Sequence, residues 1–152
     1  VHDLVGHVLA GEVLTRRLLD GASRDEALDA LPTFDLDGAM AGHAAIFAAT
    51  EEGFAAPGAL ERIVHHPRGD LPAGQVLGFR IGDLTVHRWD LARAIGADEG
   101  LHPTLVEAVW TDLQPVAPVI ATIGVFGEGP SGDVAEDAEL QRRLLDLTGR
   151  RP

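Results

Sequence analysis

"IGDLTVHRWDLARAIG", residues 81–96, decides how the rest of the chain is read. It sets Asp83, His87 and Asp90 into a segment whose other residues are mostly apolar. Charges spaced three and four apart make either a solvated stripe on a helix or a polar cluster turned towards a core. On a wheel of about 100° per residue, Val76, Asp83, His87, Leu91 and Ala94 share one stripe. Phe79 and Asp90 fall on its edge, and Thr85 and Trp89 on other faces. The polar trio therefore shares the apolar face instead of opposing it. Residues four apart on a helix have Cβ atoms roughly 5–6 Å from each other. A carboxylate oxygen of Asp83 and an imidazole nitrogen of His87 can then meet one divalent ion, as paired histidines do in helical zinc motifs. The same spacing also serves a hydrogen-bonded core histidine, so spacing alone leaves both readings open.

Outward from this stretch the pattern is helical. Residues 3–19, "DLVGHVLAGEVLTRRLL", place Leu4, Val8, Gly11, Thr15 and Leu18 on one face, with Gly21 as the stop. "SRDEALDAL" is a short helical turn capped by Ser23, with Glu26 in the capping-box position and Pro32 ending it. A second long helix runs from about Asp37 to Glu52, its small residues allowing close helix contacts. Residues 60–66, "LERIVHH", are the best strand candidate, with at most a short partner. A third long helix begins near Pro72 and ends at Gly96, and a fourth runs from Pro103 to about Leu113. Pro115 and Pro118 break the apolar run that follows, and "EDAELQRRLLDL" is a last helix stopped by Gly149. The prediction is a mostly α, bundle-like single domain over residues 1–152 with short strands at most.

Composition narrows the chemistry. A net charge of −12 opposes binding to nucleic acid or to an anionic membrane, both of which need clustered cations. No apolar run approaches the ~20 residues of a membrane span. No basic-then-apolar leader is present, which points to the cytoplasm. The chain has no Cys, Lys or Tyr, so it owns neither a thiol nucleophile nor a Schiff-base amine. Catalysis is left to His, carboxylates, hydroxyls, Arg or a bound metal.

A two-ligand helix needs a third ligand. His7 falls between Leu14 and Leu18 on the wheel of the first helix, inside the apolar stripe. A bare imidazole there costs free energy unless it has a partner. Two histidines and one carboxylate leave open positions on an ion, which marks a reactive site more than a closed structural one. Of the other histidines, His65, His66 and His102 neighbour prolines or turns and read as solvated. His43 is an alternative ligand, and His2 sits at the chain end. Asp90 follows His87 by about one turn. It can accept the second ring N–H of His7 or His87, or pair with Arg93 or Arg80 on the helix surface.

"VHDLVGHVLAGE" at the start, followed by "DLTVHRWDLARAIG" at 83–96, resembles the DinB-like superfamily. Within it the chain resembles an actinobacterial branch, the mycothiol-dependent maleylpyruvate isomerase metal-binding domain family. The closing "LLDLTGRRP" resembles the tail common in that branch, so the likeness covers nearly the whole chain. The resemblance implies a four-helix bundle and a metal triad, which carries over to His7, Asp83 and His87. Asp83 departs from the longer Glu of the isomerase. The family's first helix has no counterpart, because the chain begins at Val1. The expectation is that Val1 stands inside a longer natural sequence. The groove left by that helix is then covered by an upstream segment or by a second copy in a homodimer.

The family implies thiol-dependent transfer or isomerisation, with zinc or nickel as the ion and mycothiol or a similar thiol as cosubstrate. Because the chain lacks cysteine, that thiol is borrowed. Arg80 or Arg88 is available to hold a carboxylate of thiol or substrate. A metal-dependent hydrolase and a non-catalytic metal-binding or assembly domain are the competing readings. Metal binding is expected to fall as pH drops through the ordinary histidine range near ~6.5.

Overall fold

A computed structural model describes residues 1–29, 31, 36–123, 126 and 129–152. The chain is mostly α. Its elements are α1 (His2–Leu19), α2 (Arg24–Asp29), α3 (Leu36–Ala55), β1 (Ile63–His66), β2 (Gly69–Pro72), α4 (Ala73–Ile95), α5 (Pro103–Leu113), a 3-10 turn (Gln114–Val116), α6 (Ala117–Ile123) and α7 (Leu140–Leu147). The strands form one antiparallel hairpin, with Val64 opposite Leu71 and His65 opposite Asp70. The predicted strand is thus shorter than residues 60–66 and has a partner of equal length. The last helix starts four residues later than its polar run predicts, at Leu140. Pro32 lies outside the described residues. No described helix is long and apolar enough to cross a membrane.

The chain divides into two compact units, Val1–Arg80 and Ile81–Pro152, with α4 continuing from one into the other. In the first unit, Leu18, Leu19, Ala27, Val64, Ala73 and Val76 make the core, with Phe54 and Leu71 packed against them. The Ser23 hydroxyl and Glu26 carboxylate close the capping box that starts α2, at 2.6 Å. In the second unit, Trp89 of α4, Leu101 just before α5, Val106 and Val109 of α5, and Leu144 and Leu145 of α7 form a separate core. Leu144 and Leu145 are no more than 1% exposed. Each such side chain contributes roughly 1.5–3 kcal/mol through burial.

Two helices are turned from the faces their apolar residues predict. On α1 the buried residues are Leu9, Glu12, Thr15, Leu18 and Leu19, while His7 is exposed. The cause is an ion pair. Arg80 donates to Glu12 Oε1 from Nη2 at 2.7 Å and from Nε at 3.1 Å, and it also reaches the Val8 carbonyl. Neutralised this way, Glu12 sits at 3% exposure and takes a core position that a wheel gives to an apolar residue. Gly11 makes room for it, since a Cβ there would lie 2.8 Å from the Arg80 Cζ. On α4 the buried positions of the second unit are Thr85, Val86, Trp89 and Ala92. Trp89 draws that face inwards, with the Arg93 guanidinium 4.3 Å above its ring. Asp83, His87 and Asp90 therefore flank the core instead of facing its centre.

Candidate metal centre

The helix carrying the trio, α4, is uninterrupted from Ala73 to Ile95, and Gly96, at φ +68°, turns the chain out of it. The Ala97 N–H closes back on the Ala92 carbonyl at 2.8 Å, satisfying one of the last orphan carbonyls. On this rigid support, His87 lies between two carboxylates. Its Nε2 is 3.2 Å from Asp83 Oδ1, four residues back, and its Nδ1 is 2.8 Å from Asp90 Oδ2, three residues on. Arg150 completes the row, with Nη2 2.6 Å from Asp90 Oδ2 and Nε 3.1 Å from Oδ1. This is a two-pronged guanidinium–carboxylate pair, the strong form of such contacts. The four side chains are 17–27% exposed, so the row opens to solvent without lying on it.

Alternating charge governs the protonation of the row. The hydrogen bond to Asp83 and then that to Asp90 push the His87 imidazole up to about 9, against the opposing effect of burial. Burial alone would raise Asp90. The hydrogen bonds from His87 and Arg150 outweigh it and hold the carboxyl at about 2. At neutral pH His87 is thus a cation with one N–H for each carboxylate.

Each expected site residue now has a place. Asp83 and His87 stand together in the second unit, and Asp90 is the partner of His87, not of Arg93 or Arg80. His7 stands on α1 in the first unit, exposed where the wheel put it in the apolar stripe. Arg80 is committed to Glu12 and the Val8 carbonyl, which removes it as a grip for a substrate carboxylate. Arg88 is exposed and donates to the Asp98 carbonyl. His65 is exposed and bonded to Asp70 at 2.8 Å. His66 is not fully solvated as expected. Its ring lies 5.7 Å from that of Phe79 and its Nδ1 accepts the Arg68 N–H. Burial first and Arg68 second lower its pKa below the ordinary value.

Two pairings went unread in the sequence. Arg150 is 60 residues from Asp90, and nothing local marks the pairing. Glu12 and Arg80, 68 residues apart, left a fainter signal: one acid and one base, each among apolar helix positions, are the composition of a buried pair.

The uncharacterised proteins MT0763 and Rv0738, from two strains of Mycobacterium tuberculosis, are similar to the chain. Each is 30% identical over 142 residues, spanning 93% of this chain and 71% of the relative. The chain belongs to the family of these mycobacterial proteins. No family model matches it. No solved structure matches it either.

Proposed function

We propose that the chain binds one divalent ion, zinc or nickel, through His7, Asp83 and His87. With a low-molecular-weight thiol such as mycothiol, it would transfer to or isomerise a small electrophile in the cytoplasm. The observation that carries this reading is the Asp83–His87–Asp90–Arg150 row. A ligating imidazole commonly gives its second ring N–H to a carboxylate, which fixes its tautomer and raises its basicity. His87 makes that bond to Asp90 through Nδ1, and an ion that displaced the Nε2 proton now shared with Asp83 would meet a nitrogen–oxygen donor pair there. Such a pair suits zinc or nickel better than calcium or magnesium. The third donor, the His7 imidazole, comes from the first unit and rests on the resemblance to the DinB-like superfamily.

A bound divalent ion with an open position supplies a deprotonated thiol at neutral pH. The chain's own residues do the rest. Asp83 and His87 bind, and Asp90 keeps the remaining ring proton on Nδ1. The absence of cysteine makes the thiol a second substrate instead of a residue.

The test is elemental analysis of purified wild type and His87→Ala, followed by assays on an electrophile panel with and without thiol. Metal in the wild type, its loss in His87→Ala and thiol-dependent turnover support the reading. Turnover without thiol would replace it with a hydrolase, and metal without turnover with a binding or assembly domain. A wild type that takes up no metal overturns the site.

A further inference from the structure

The C-terminal end of the second unit is built so as to aim one side chain at the candidate centre. Helix α7 ends in a Schellman motif: the Arg150 N–H bonds to the Leu145 carbonyl at 2.8 Å and the Gly149 N–H to the Asp146 carbonyl at 2.9 Å. The motif needs a left-handed residue, and Gly149 supplies it at φ +78°. A Cβ at this position would run into the Phe126 carbonyl oxygen, so only glycine fits on both counts. The turn reverses the chain and presents Arg150 to Asp90. The same guanidinium is secured by donation from Nη1 to the Thr148 carbonyl at 2.6 Å. Beyond it, the Arg151 carbonyl accepts from Arg93 of α4 at 2.8 Å, a second tie between the tail and the helix that carries His87.

We propose that Arg150 is a positioning residue for His87, fixing the Asp90 carboxylate so that His87 keeps Nδ1 towards Asp90 and presents Nε2 to the ion. Asp90 has two oxygens and one rotatable carboxyl group. Held at both oxygens by the Arg150 fork, it has one orientation in which Oδ2 also meets His87 Nδ1. Without the fork the carboxyl turns towards solvent, the imidazole loses its anchor, and Nε2 is no longer held beside Asp83. The role deepens the metal reading and rests on it for its consequence, although the anchoring itself does not require an ion.

Co²⁺ titration followed by absorption spectroscopy, on the full chain, tests the consequence. Arg150→Met is expected to weaken Co²⁺ binding about tenfold, at the lower end of the ~10–100-fold typical of groups that support a metal ligand. Asp90→Asn is expected to lose as much or more. Because Arg150 acts through Asp90, the Asp90→Asn/Arg150→Met double variant should lose no more than Asp90→Asn alone. Arg150→Lys keeps the charge without the fork and should recover only part of the loss. Unchanged Co²⁺ affinity in folded Arg150→Met, or losses that add in the double variant, would overturn the role. The anchoring is read separately on the metal-free protein by ¹⁵N-detected NMR of the His87 ring. A slowly exchanging Nδ1 proton is expected in the wild type and its loss in Arg150→Met. Persistence of that proton in Arg150→Met overturns the proposal whether or not metal binds. A wild type that ignores Co²⁺ but shows the expected NMR difference overturns the metal reading and leaves Arg150 as the anchor of His87.

Discussion

Raising the pH on the metal-free protein should remove the His87 proton at about 9, far from the ordinary imidazole value of 6.5. The cause is local: one ring N–H meets Asp83 and the other Asp90, so losing a proton leaves two carboxylates facing each other across a neutral ring. A group whose pKa is raised on folding stabilises the fold fully below its unfolded value and loses that contribution as pH climbs through its folded value. The His87 contribution to stability of the metal-free protein should therefore be flat to about pH 6.5 and fall from there to about 9 or 10. At ~1.36 kcal/mol per pH unit, the span from 6.5 to about 9 sets a ceiling of about 3 kcal/mol. The ring is 19% exposed, and solvent screening brings the expectation down to about 2 kcal/mol. The assay is a ¹³C-edited NMR titration of the His87 Cε1–H, paired with urea melts at pH 6.5 and 9.5. The proton also competes with the ion. Apparent affinity for Zn²⁺ should rise about tenfold per pH unit from 7 to 9, instead of levelling off just above the ~6.5 that an unpaired histidine gives. A His87 midpoint near 6.5 in the wild type, with equal stability at the two pH values, would refute the charge row as its controlling feature.

Arg80→Met leaves Glu12 buried without its counter-charge and should cost about 3–5 kcal/mol in urea denaturation. The double variant Glu12→Leu/Arg80→Met should recover most of that loss, and if it is as unstable as the single one, Glu12 is not the reason. Gly149→Ala forces a left-handed alanine into the Phe126 carbonyl and should lower stability by about 2 kcal/mol, read as a fall in melting temperature. His87→Ala should abolish metal uptake outright, because one histidine and one carboxylate hold a divalent ion poorly.

Much of the helical framework was legible because the signals are local. Ser23 and Glu26 three apart, Pro103 at a helix start, and Gly96 and Gly149 at helix ends each act on their own neighbours, and each lies at the helix end its sequence signal predicts. The Asp83–His87–Asp90 spacing was legible for the same reason, since one helix holds all three. What the wheel misjudged was which face of α1 and α4 is buried. A wheel sorts residues by their own polarity, and it cannot know that Arg80 will cancel Glu12 or that Trp89 will outweigh Leu91 in choosing the inward side. His7 reads as buried for that reason and is exposed. Arg150 was out of reach on different grounds. Its value depends on a reversal at Gly149 and on a carboxylate 60 residues away, and no periodicity spans that distance.

The close approach of Gly11 to the Arg80 guanidinium ties three positions into one inherited unit. A methyl group at position 11 would displace the guanidinium from Glu12, and a shorter side chain at position 80 would strand the carboxylate. In either case selection then acts on position 12 in place of the altered one. Across the family, relatives with a larger residue at the equivalent of Gly11 should also have lost both charges, replaced by two apolar side chains that fill the same volume. Intermediate combinations should be scarce, because each passes through a buried, unpaired ion. A variant library randomised at these three positions and sorted for folded protein would show the same grammar: glycine with the ion pair, or a bulkier residue with neither charge.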